Sequence, residues 1–165
     1  MKFLITLILI TGLVICFNTK QAKADTTLTK FQISDFINKA NALIKGDIVK
    51  AERKFKAGKG FWEIKMIAED GGEVRFDFDL KTCELIEAES SEGPFNYNLN
   101  PFFSNVDLQT AKLKTENELG MKIMKWEFKP VKEKWEWRFW YLSKTGVPQL
   151  RVDADSGEFI TSGKK

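Results

Sequence analysis

The chain contains no histidine. That excludes Ser-His-Asp and Cys-His catalysis and the usual histidine-based zinc sites. It holds two cysteines, Cys16 and Cys83. If the first is lost with a leader, the remaining one can form neither an internal disulfide nor a thiolate metal cluster. Long apolar runs are also scarce. Only Phe3 to Phe17 is sustained, broken by Thr6, Thr11 and Gly12, and it falls short of the roughly 20 apolar residues that a membrane span needs.

That run follows Met1-Lys2 and precedes a polar stretch ending in Ala22-Lys23-Ala24. A positive start, a short apolar core and an A-x-A site are the parts of a secretory signal peptide. Residues 1–24 are read as this leader, with cleavage after Ala24. Ile15 stands where a lipoprotein signal takes a small residue, which argues against lipidation at Cys16. Removing Lys2, Lys20 and Lys23 from 26 basic residues leaves 23 against 23 acidic ones, a net charge of zero. Nucleic acid binding needs a concentrated positive field, and no global excess supplies it.

What is present is an internal echo. Phe78-Asp79-Leu80-Lys81-Thr82-Cys83-Glu84-Leu85-Ile86 resembles Val152-Asp153-Ala154-Asp155-Ser156-Gly157-Glu158-Phe159-Ile160, 74 residues on. Such a period marks repeated units. Ser34 reads as the N-cap of a helix carrying Phe36, Ile37, Ala40, Leu43 and Ile44 on one face, with Gly46 ending it. Strand alternation follows, with Val49, Ala51 and Phe55 inward, then Trp62, Ile64, Met66 and Ala68, then Val74, Phe76 and Phe78. Asp107 reads as the cap of a second helix that Gly120 ends. After it come inward sets Met124, Trp126, Phe128 and Trp135, Trp137, Phe139, Tyr141. The expected fold class is therefore α+β, two tandem helix-plus-antiparallel-sheet units. They cover residues 25–89 and 107–163, with a connector over 90–106. Each unit alone is of marginal size, so they are expected to share packing or a sheet edge. Phe95, Tyr97, Phe102 and Phe103 of the connector are expected to pack down.

The order of helix, hairpin, strand and closing motif resembles the PepSY family. Val152, Asp153, Ala154, Gly157 and Glu158 fit its closing motif; Ile33-Ser34 fits its helix start, and Phe78, Asp79, Thr82 and Glu84 fit its end in the first unit. Cys83 replaces the motif's glycine and Leu80 its alanine. The resemblance implies a cystatin-like wrap of sheet around helix. It also implies a role like that of family members in metalloprotease propeptides and bacterial envelope proteins, which restrain peptidases or bind other proteins. A tandem pair is similar in layout to the secreted β-lactamase inhibitory proteins.

The richest segment is Trp135-Glu136-Trp137-Arg138-Phe139-Trp140-Tyr141. Odd positions are expected in the core, leaving Glu136, Arg138 and Trp140 on the other face. Trp beside Arg is the pairing most enriched at interface hot spots. Trp140, Arg138 and Arg151, with Trp126 behind them and Arg75 on the same sheet face, are the candidate partner-binding residues. Asp153 to Glu158 superficially matches the start of a calcium loop but lacks the distal Glu and runs into an apolar strand, so turn chemistry explains it. The acids fall in alternating strands or turns, where a solvated face accounts for them. No catalytic residue, cofactor or metal is expected. The lysine-rich stretch from Lys50 to Lys59 reads as a protected edge strand. The expected function is a secreted, periplasmic or envelope protein that is not an enzyme and binds a partner protein, such as a peptidase, by occlusion. The alternatives are a small-ligand or sensing module with an aromatic crevice between the units, and a structural module in a larger assembly.

Overall fold

The computed structural model describes residues 30–160. The leader, its cleavage site and Cys16 lie outside the described residues, as do residues 161–163 of the expected second unit. Helix α1 (Ile33–Leu43) precedes strands β1 (Gly46–Lys56), β2 (Lys59–Ala68), β3 (Glu73–Asp79) and β4 (Leu85–Glu92). Helix α2 (Leu108–Leu119) precedes β5 (Ile123–Val131), β6 (Lys134–Tyr141) and β7 (Gln149–Asp153).

All seven strands form one antiparallel sheet in chain order. This overturns the expected α+β pair of helix-plus-sheet units. Strand dominates and, among the described residues, only two short helices accompany it. The sheet edge that the units were expected to share is present, formed by β4 and β5 through Ala88–Phe128, Glu89–Glu127 and Ser90–Trp126. The connector does not separate two bodies. It folds back over the sheet and buries Phe95, Tyr97 and Leu99. Gln109 Nε2 donates to the carbonyls of Phe95 and Tyr97, which ties that segment to α2. Phe102 points away and is 82% exposed.

One face of the sheet is the core. Phe36 and Ala40 of α1 pack with Ile64, Met66, Val74, Phe76 and Phe78; Leu108 and Ala111 of α2 pack with Trp126, Phe128, Trp137 and Phe139. Two indoles cannot be buried without partners for their N–H groups. Trp126 Nε1 donates to Tyr97 Oη at 3.1 Å and Trp137 Nε1 to the Val106 carbonyl at 2.9 Å. Together with Leu99, these residues fill the place where a crevice between two units was expected.

Local signals account for several boundaries. Asp107 caps α2 by accepting from the Thr110 amide at 2.7 Å, and Gly120 closes it in the left-handed conformation. Helix α1 starts one residue before Ser34, with Gln32 at the cap and its amide donating to Asp35. Gly46 opens β1 rather than closing α1, because a Cβ there would lie 2.2 Å from the Ile67 carbonyl oxygen. Val49 and Met124, expected inward, are exposed where the register slips between Ile48 and Lys50 and between Ile123 and Lys125. A bulge of this kind re-aims one side chain. Phe55 lies at the hairpin end with the Arg53 guanidinium 5.0 Å from its ring.

Candidate binding face

Side chains alternate across a strand, so the residues between core positions project from the opposite face. Strand pairing sets them in two adjacent rows. Lys50, Lys65, Arg75, Glu89, Glu127, Arg138 and Arg151 form one row, each opposite the next. The other joins Glu52, Glu63, Asp77 and Glu87 on β1–β4 to Lys129, Glu136 and Asp153 on β5–β7. Lys129 faces Glu87 at 3.4 Å across the β4–β5 boundary. Every position in both rows is ionisable.

Ion pairs within and beside the rows neutralise the face. Lys54 meets Glu63 at 2.7 Å, Arg75 meets Glu89 at 2.8 Å, and Lys125 bridges Glu89 and Glu127 at 3.0 Å each. The carboxylates of Glu87, Glu89 and Glu127 converge within 4.8 Å. Arg75, Lys125 and Lys129 balance them, so this group is an ion-pair junction. Burial pushes the Glu127 carboxyl up, but hydrogen bonds from Lys129 and Lys125 outweigh it and hold the group below the usual range.

Burial of acids here is the feature sequence reading missed. Glu63, Asp77, Glu127 and Glu136 are all buried. Long Lys and Arg stems from neighbouring strands lie over them, as amphipathic side chains do on a sheet. Alternation places an acid on a face but does not say what covers it.

The five candidate residues separate into three groups. Trp140 is half-buried on the open face, with Lys125 Nζ 5.0 Å from its ring centroid. Arg138 and Arg151 sit directly opposite each other and share one carboxylate, Glu136, at 3.4 and 3.6 Å. Arg75 is on that face but is committed to Glu89, Asp77 and Glu87. Trp126 is wholly buried on the other face, so it is corrected from a contact residue to a core residue. Two clefts are lined in part by the rows. One of about 300 Å³ includes Lys50, Lys65, Arg75 and Ser90, and one of about 640 Å³ includes Lys132, Glu136, Arg151 and Ile160.

The turn after β7 is closed by its own hydrogen bonds. Asp153 Oδ1 accepts the amides of Asp155 and Ser156 at 3.0 Å each. Those bonds, with Lys134 at 3.0 Å, lower the carboxyl to about 2. Cys83 is buried in the corresponding turn after β3 with φ at 58°, and burial pushes its thiol up. Among the described residues no helix is long and apolar enough to cross a membrane.

Among the described residues the fold is thus a single antiparallel meander with helices on one face and a charged, uncovered face on the other. No family model matches the chain, and no curated protein matches it. A solved structure from Clostridium difficile 630, described provisionally as a lipoprotein, aligns over 78% of this chain and 87% of its own. The identity is 15% and the TM-score 0.37, a likeness too slight to carry an argument.

Proposed function

We propose that this is an exported, non-enzymatic binding protein whose open sheet face docks a partner protein at its β5–β7 end. The observation that carries this reading is the Arg138–Arg151 pair beside Trp140. Like charges directly opposite on neighbouring strands repel. Here a single carboxylate serves both, at distances beyond a good hydrogen bond. A partner's carboxylate would relieve the pair with charge-assisted bonds, and Trp140 supplies apolar contact next to it. The register sets exposed Met124 and Leu142 at the same end of the sheet.

Export rests on the leader-like first 24 residues. A peptidase as partner rests on the PepSY resemblance alone. The small-ligand alternative loses its support, since the aromatic rings it needs are packed between the connector and the sheet.

The test compares wild type with Trp140→Ala and Arg138→Ala in capture from envelope extract, after thermal unfolding shows that both variants fold. Trp140 is partly exposed, so its loss should change stability by less than about 1 kcal/mol. The expected result is one partner captured by wild type and reduced at least tenfold by either variant. Equal recovery by all three would reject this surface.

A further inference from the structure

Glu52, Glu63, Asp77 and Glu87 stand directly opposite one another on β1, β2, β3 and β4. Three of the four are relieved. Lys50 reaches Glu52 at 2.7 Å, Lys54 reaches Glu63 at 2.7 Å, and Lys129 and Arg75 reach Glu87 at 3.4 and 3.6 Å. Asp77 is the exception. Its Oδ1 is buried and accepts no hydrogen bond; Glu63 Oε1 is in the same condition, but Glu63 Oε2 accepts from Lys54. Among the described residues the one cation close to Asp77 is Arg75, whose Nε lies 3.4 Å away and is itself buried without a hydrogen bond. The same guanidinium is drawn to Glu89 at 2.8 Å.

The surroundings of Asp77 sum to negative. From β2 it faces Glu63, with Lys65 turned to Glu73; from β4 it faces Glu87 and Glu89. On its own strand stand Arg75 and Asp79, and on β1, one strand further, Lys50 and Lys54 are spent on Glu52 and Glu63. The residue is only 8% exposed, which leaves no room for a partner's side chain to reach the carboxylate. A proton needs none.

We propose that Asp77 is a proton-operated switch in the open face, ionised at neutral pH at the expense of sheet stability and protonated in mildly acid medium. Acidification then removes one negative charge from the β1–β4 part of the face and tightens β2–β4. Burial, with the nearby carboxylates of Glu87, Glu63 and Glu89 and against Arg75, pushes this group up to about 6. The chain has no histidine, so no imidazole titrates in the same window. The switch lies apart from Trp140 and needs no partner to operate, so it stands or falls independently of the docking reading.

The sign follows from linkage. The folded group holds a proton that the unfolded chain, near 3.8, has released. Stability therefore rises as pH falls through about 6 toward 4, against the usual behaviour of a paired carboxylate. The experiment is a carbon-13 carboxyl titration of the whole protein, with urea unfolding from pH 8 to pH 5 for wild type and Asp77→Asn. The expected midpoint of Asp77 is near 6. The wild-type unfolding constant should fall about tenfold from pH 8 to pH 5. Asp77→Asn should be more stable than wild type at pH 8, with a flat profile. A midpoint at or below 4, or a flat wild-type profile, overturns the switch; so does a variant weaker than wild type at pH 8. If the variant fails to fold, the wild-type midpoint and profile decide by themselves.

Discussion

Asp77 and Asp153 occupy the same row of one sheet, have similarly little exposed surface, and shift in opposite directions. Asp153 ends β7, where the chain turns and offers two backbone amides, and Lys134 adds a third donor. Asp77 lies within β3, where the neighbouring amides are used by the sheet and the strands on either side present more carboxylates. Each has a cation within 4 Å, but Arg75 is shared with Glu87 and Glu89 while Lys134 pairs with Asp153. Desolvation by burial is the largest influence on Asp77, whereas hydrogen bonds from Ser156 and Lys134 lead at Asp153. A buried carboxylate that accepts several is stabilised as an ion, and one that accepts none is pushed toward its neutral form.

The contrast has meaning only if β1–β4 and β5–β7 belong to one cooperative body. The largest expected effect tests that. The β5–β7 part is built on stacked rings, with Trp137 4.3 Å from Phe128 and 5.9 Å from Trp126 between centroids. Trp137→Ala is expected to cost about 3–5 kcal/mol and to lower a single unfolding transition seen equally by fluorescence and circular dichroism. Two separated transitions would mean that the regions unfold independently.

Next in size comes Asp153→Asn. The amide keeps the shape but accepts from the turn amides more weakly and loses the pairing with Lys134. A loss of about 1–2 kcal/mol at pH 7 is expected after allowing for solvent screening. Because the folded carboxyl is held at about 2, below its ordinary value, this contribution is complete above pH 4 and disappears as pH falls toward 2. Urea unfolding of both proteins between pH 7 and pH 2 should show two curves that converge at the acid end. Parallel curves would show that the carboxylate is not the source.

Sequence alternation made the faces legible and left the partners of each strand obscure. Trp137 and Phe139 inward, Glu136 and Arg138 outward, follow from a period of two, and the sheet keeps them there. Asp107 and Gly120 mark α2 because their chemistry is local. The β4–β5 pairing is not local. The size of the units pointed to a shared packing surface or edge but not to which strands form it; β4 and β5 join residues about 40 apart and make one meander. The bulges at Val49 and Met124 break the period without a glycine or proline to announce them. At the candidate face, Trp140, Arg138 and Arg151 could be read from their own strands. The isolation of Asp77 could not, since it depends on what β2 and β4 place opposite it.

The smallest effects concern the two turns that follow these aspartates. Asp79 accepts the amides of Lys81 and Thr82 as Asp153 accepts those of Asp155 and Ser156. The fourth residue after each is left-handed, Cys83 at φ 58° and Gly157 at φ 70°. Gly157 suits that conformation, and a Cβ there would lie 3.2 Å from Val106 Cγ2. Gly157→Ala should therefore cost about 1–2 kcal/mol. Cys83 carries the strain already but buries its side chain against the core. Cys83→Gly releases about 1 kcal/mol of left-handed strain and gives up a similar amount in lost burial and added freedom of the unfolded chain. A change within about 0.5 kcal/mol of zero is expected by urea unfolding. A loss of 2 kcal/mol or more would show that the thiol's packing, rather than the turn's backbone, selects cysteine at this position.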